Sequence, residues 1–127
     1  MAKGRDKHAA HQAAVAALGR NLSRRARNRC ELCEESTSLK VVEVAPVFDE
    51  PDEERAVLIC AQCEAALQDA KPDGNTLRFL EAVVWSETLP VQLSAVRLLR
   101  TLAAGNASWA RDCLDNLYLD PEVEALL

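Results

Sequence analysis

The chain carries two matched cysteine pairs, Cys30-Glu31-Leu32-Cys33 and Cys60-Ala61-Gln62-Cys63, with twenty-six residues between them. A two-residue spacing lets both sulfurs of a pair turn inward on one tight knuckle, and four soft thiolates complete the tetrahedral shell of a structural zinc ion. The expected ligands are therefore Cys30, Cys33, Cys60 and Cys63, holding one Zn2+ in a structural role. A redox dithiol and a pair of disulfides are the competing uses. A redox C-x-x-C ordinarily stands alone at a helix start after a strand, so a matched second pair argues against it. Zinc closed by four cysteines names a fold, not an activity.

Other chemistry has little to work with. His8 and His11 are the only histidines, and both fall near an N-terminus expected to fray over residues 1–7. Cys113, the fifth cysteine, lies on the apolar side of a helical pattern with no histidine near it in sequence, and reads as a small hydrophobe. With four glycines, the chain has no Gly-rich loop to cradle phosphates. No catalytic set is identified, and the expectation is a protein without enzymatic activity.

The elements that must position the cysteines follow from local pattern. An Ala-rich helix is expected from His8 to about Arg27, with Val15, Leu18, Leu22 and Ala26 as its apolar stripe. Gly19 inside it costs about 1 kcal/mol against Ala and marks a place for a break. Leu39 to Val44 reads as a strand closed by Pro46, and Arg55 to Ile59 as a second strand delivering the chain to Cys60. The acidic run Asp49 to Glu54 between them is a solvated loop, because its charges repel. Helix formers then follow from Ala61 to about Ala70. Knuckle, hairpin and a helix carrying the second pair in its first turn is the treble-clef order, preferred here over a zinc ribbon with its second pair on another hairpin.

Beyond the turn cluster Lys71 to Asn75 the pattern is all helix. Helices are expected from Thr76 to Trp85, from the Pro90 region to Ala104, after a cap at Asn106 or Ser108, and in a last short turn after Asp120-Pro121. The fold class is thus α+β: a basic N-terminal helix (1–27), a four-cysteine zinc module (28–70) and a helical region (71–127).

A formal charge of −5 conceals a polarity. Residues 1–29 hold eight Lys or Arg against Asp6, about +7, whereas residues 30–127 hold seven bases against nineteen acids, −12. Arg20, Arg24 and Arg27 share one helical face, with Arg25 and Arg29 beside them. Solvated charge is the plain reading of that face; contact with phosphates through Arg20, Arg24, Arg25, Arg27 and Arg29 is the functional one. No eighteen-residue apolar run or export signal is present in the 127 residues, so no membrane partner is expected, and five cysteines without such a signal suggest reduced thiols in a cytoplasm.

Several stretches resemble the PhnA-like family, named for the alkylphosphonate-utilisation operon. They are Cys30 to Cys33, Leu58 to Cys63, Trp85-Ser86 with Leu89-Pro90-Val91-Gln92, and Trp109-Ala110-Arg111-Asp112 running to Leu117-Tyr118-Leu119-Asp120. The resemblance covers roughly residues 27–124 and is to the N-terminal, zinc-binding half of the longer members. Those members continue into an SH3-like β-barrel, and this chain stops at Leu127 before such a domain. The family name implies operon context rather than a reaction.

The layout from Arg29 to Cys63 is also similar to zinc-stabilised HNH endonuclease fingers. The histidines that such an enzyme places on the hairpin strand and after the last cysteine are missing: the strand reads Val42-Glu43-Val44-Ala45-Pro46, and Glu64-Ala65-Ala66 follows Cys63. Glu43 alone cannot serve as both base and metal cradle. The expected function is a non-enzymatic zinc-binding module that docks a protein partner or a second copy through its helical region, with Trp85 and Trp109 as anchors. A nucleic-acid-binding module using residues 1–29 is the alternative, and an enzyme of phosphonate metabolism ranks third.

Overall fold

The computed structural model describes residues 2–127. Helix α1 spans Ala2–Ala17 and α2 spans Gly19–Ala26. The helix thus begins well before His8, and residues 2–7, expected to fray, belong to its first turns; Met1 lies outside the described residues. The break falls at Leu18, next to Gly19. Leu18 keeps helical angles, and its carbonyl still accepts from Leu22 N–H at 2.9 Å, so the two segments are joined by a bend rather than a loop.

Strand β1 (Leu39–Glu43) pairs antiparallel with β2 (Ala56–Cys60), in the register Leu39 to Cys60, Val41 to Leu58 and Glu43 to Ala56. Every residue of β2 is buried. Period-two alternation explains how. Ala56 and Leu58 lie with Leu22 of α2 under Leu18, Ala26 and Val41 on one face, while Val57 and Ile59 enter the main core on the other. The continuous apolar run Ala56-Val57-Leu58-Ile59 is therefore a strand covered on both sides.

Helix α3 (Ala61–Gln68) leaves β2 without a linker. After it, the expected helix from Thr76 to Trp85 is only partly realised. A 3-10 turn at Gly74–Thr76 is opened by Asp73, whose carboxylate accepts from Asn75 N–H at 3.0 Å. Leu77 then takes φ −117 and ψ 17, outside the helical region, and α4 is the short span Leu80–Val83. The apolar stripe Leu77, Leu80, Val84 is nevertheless buried, because successive tight turns bring the same side chains inward.

Helix α5 (Leu89–Ala104) has Pro90 in its first turn, where the missing N–H has no intrahelical partner to lose, and gives way at Gly105. It is the spine of the core: Leu93, Ala95, Val96 and Leu99 are fully enclosed. Helix α6 (Ser108–Asp115) packs against it, and Ala110 of α6 and Val123 of α7 (Pro121–Glu124) join the same core. Neither Asn106 nor Ser108 caps α6; its N-cap is Ala107, whose side chain cannot accept a hydrogen bond. The turn cluster near residue 71 is a turn without a gap in packing. Cys30, Leu32, Val57, Ile59 and Cys63 share one core with Leu93, Val96 and Leu99.

Candidate metal centre

The four cysteine sulfurs all lie within 4.8 Å of one another. A tetrahedral zinc–thiolate shell with Zn–S of about 2.3 Å has edges of about 3.8 Å. Cys33 Sγ and Cys60 Sγ are 3.5 Å apart. The cluster is compatible with one bound metal ion.

Each knuckle is built by its own backbone. At the first, the amides of Leu32 and Cys33 both donate to Cys30 Sγ at 3.4 Å. Glu34 N–H returns to Cys30 C=O at 3.0 Å, and Cys30 N–H reaches Glu35 C=O at 2.7 Å. Closing that turn requires Glu34 at φ 71, a left-handed conformation that ordinary side chains rarely adopt. At the second knuckle β2 delivers Cys60 in extended geometry as the N-cap residue of α3, and Cys63 falls in the first helical turn. Free N–H groups and the helix dipole there favour thiolates.

Without a metal the cluster carries its charge unevenly. Cys30 is lowered to about 4, chiefly by a hydrogen bond from the Cys63 thiol and then, against the opposing cost of burial, by backbone N–H donors including that of Cys33. Cys33 is raised to about 11, chiefly by burial. Cys63 is pushed up as the donor to Cys30, with burial next. Charge is thus favoured on Cys30 and disfavoured on Cys33 and Cys63.

The cluster is tied to its surroundings through Glu31, between the first two cysteines. Its N–H donates to Leu58 C=O at 2.8 Å, and its Oε1 accepts from Leu58 N–H at 2.8 Å. Backbone and side chain of one residue thus pair with both backbone groups of Leu58, on the edge of β2 away from β1. The carboxylate is neutralised by Arg25, whose Nε and Nη2 donate to Oε2 and Oε1 at 2.8 and 2.7 Å. Arg25 also donates to the carbonyls of Glu53 and Ala56 at 2.9 and 2.8 Å.

Of the five arginines weighed for phosphate contact against plain solvation, Arg25 is therefore committed inside the protein. Arg20, Arg24, Arg27 and Arg29 are exposed. They do not form one helical face, because α2 ends at Ala26. Arg27 takes φ 57 as the left-handed residue after it, with Asn28 N–H returning to Ser23 C=O at 2.9 Å. Sequence reasoning missed the role of Arg25, and no periodic pattern marks it. An arginine closing a helix and a glutamate inside a C-x-x-C knuckle were the available signal.

The histidines differ from expectation as well. His11 lies in α1 with its Nε2 2.6 Å from Glu43 Oε1, so it helps dock α1 on β1 instead of fraying. Cys113 is half-buried at the margin of the core, where burial and then the Glu81 charge push its thiol up. Trp109 packs against the core under the Arg78 guanidinium, 4.8 Å from the ring centre, whereas Trp85 is 52% exposed and Tyr118 is 83% exposed.

Compared with known protein families, curated proteins and solved structures, the chain matches none. Among the described residues no helix is long and apolar enough to cross a membrane.

Proposed function

We propose that this chain is a non-enzymatic zinc-binding module of PhnA-like type. Its treble-clef finger uses one structural Zn2+ to hold the hairpin against the helices, and its helical region docks a protein partner or a second copy. The observation that carries the reading is the convergence of Cys30, Cys33, Cys60 and Cys63 within 4.8 Å, inside a core shared with α5. An all-thiolate set favours zinc over harder ions. Four protein ligands leave a tetrahedral zinc without an open position for water or substrate, which argues against metal-assisted hydrolysis at this site. A finger whose second pair begins a helix, as Cys60 and Cys63 do, supports the treble clef over the zinc ribbon. The exposed rings of Trp85 and Tyr118 support the docking role.

Light scattering of the zinc-loaded chain, together with capture from a lysate of its source, tests that role. A dimer, or a partner whose capture is lost on Trp85→Ala, supports it. A monomer that captures nothing removes it.

A nucleic-acid-binding module is the second reading, favoured by Arg20, Arg24, Arg27 and Arg29, which are exposed and make no ion pair among the described residues. It requires binding that weakens steeply with salt. Absence of any shift with DNA or RNA at low salt eliminates it.

A further inference from the structure

Between the end of α2, the first knuckle and the start of α5 lies a cavity of about 370 Å³. Arg25, Arg27, Arg29, Ser86, Thr88 and Val91 are among the residues that line it. Two carboxylates, Glu31 and Glu34, also line it. Glu31 is neutralised by Arg25, which leaves Arg27, Arg29 and Glu34 as the lining charges without an ion pair among the described residues.

The start of α5 adds donors to the lining. The first hydrogen bond of α5 runs from Gln92 N–H to Thr88 C=O at 3.0 Å. The amides of Leu89 and Val91 therefore have no acceptor among the described residues, and Pro90 between them has no N–H. Ser86 Oγ accepts from Thr88 N–H at 3.1 Å, so its own hydroxyl hydrogen is free to donate elsewhere. Arg27 and Arg29, which make no ion pair among the described residues, thus line one cavity with Ser86 and with Val91, whose unfilled amide lies at the positive end of a 16-residue helix.

We propose that this cavity seats a phosphoryl oxyanion. Arg27 and Arg29 supply charge and planar donor forks, and the Val91 amide and Ser86 hydroxyl complete the cradle. The volume is at the low end of small-ligand sites and admits a phosphate with a modest substituent. The phosphate can be carried by a free small ester or by a nucleic-acid strand. Only the strand form rests on the second reading above.

The test is titration of the zinc-loaded full chain at low ionic strength with three probes: inorganic phosphate, a nucleoside monophosphate and a short single-stranded oligonucleotide. Amide chemical shifts report binding. The expected result is saturable movement of Val91 and Leu89, weakened about tenfold or more in the Arg27→Asn/Arg29→Gln variant. Asn tolerates the left-handed backbone at position 27, and zinc content verifies the fold of the variant. An oligonucleotide that binds more tightly and weakens further on Arg20→Gln/Arg24→Gln identifies a strand as the source; equal binding of the monophosphate identifies a small ester. No saturable shift with any probe overturns the proposal, as do shifts that persist unchanged in the double variant. Oligonucleotide binding that depends on Arg20 and Arg24 but leaves Val91 unmoved also overturns the pocket, while the nucleic-acid reading stands.

Discussion

Arg25 grips Glu31 at two points, 2.8 and 2.7 Å, and thereby fixes the C-terminal end of α2 to the metal knuckle. The Glu31 side chain is only 5% exposed, so its charge depends on that partner. Removing one member of such a pair leaves an uncompensated buried charge. Arg25→Ala should cost about 3 kcal/mol, whereas Arg24→Ala, one residue away on the surface, should stay within about 0.5 kcal/mol. Urea unfolding of the two variants compares them directly. Equal stabilities would show that the pair does not hold the finger to α2.

Leu22 is the other fastening of the N-terminal helices, fully enclosed against Ala56 and Leu58. Leu22→Ala should destabilise by about 2–5 kcal/mol and raise amide exchange through α1 and α2 ahead of α5. Exchange rising uniformly across the molecule would contradict a separate docking of these helices.

Glu34 occupies left-handed backbone to close the first knuckle. Glu34→Gly removes the steric cost of that conformation and should raise the melting temperature of the zinc-loaded protein, by an amount worth up to about 1 kcal/mol after the added freedom of the unfolded chain is subtracted. A clear fall in melting temperature would mean that the Glu34 side chain contributes more than its backbone costs.

The sulfur cluster gives a pH prediction. In the metal-free chain the Cys30 value is depressed to about 4, so its contribution to stability is present above the ordinary thiol range and lost as pH falls through about 4. Cys33 and Cys63 are raised, so they favour folding below the ordinary thiol value and withdraw that support at higher pH, through about 11 for Cys33. At pH 7 those two are thiols and Cys30 a thiolate. Zinc binding must then release the protons of Cys33 and Cys63. Calorimetric titration in buffers of different ionisation enthalpy measures the release. Zinc uptake without proton release would contradict the arrangement.

How much of this was legible in the sequence depended on how local the cause was. The four-cysteine cluster, the hairpin and the helix after Cys60 follow from short-range spacing and β-branched runs, and the elements lie where expected apart from their end residues. Pro90 located the start of α5 for the same reason. Contacts made at long range were not legible. Glu31 meets Leu58 across twenty-seven positions, and His11 meets Glu43 across thirty-two. The helical spacing of Leu77, Leu80 and Val84 was real, yet Asp73 initiates a 3-10 turn that breaks the helix there. A stripe reports which side chains go inward, and the backbone that carries them can still differ.

The central claim is that one zinc ion holds the finger and, through the shared core, the rest of the protein. Metal analysis of the purified chain, followed by chelation monitored by circular dichroism and amide shifts, tests it most directly. The account predicts one zinc per chain, loss of hairpin order on removal, and the same loss in Cys30→Ser and Cys63→Ser. A chain purified without metal that keeps the β1–β2 hairpin and its full stability would contradict it.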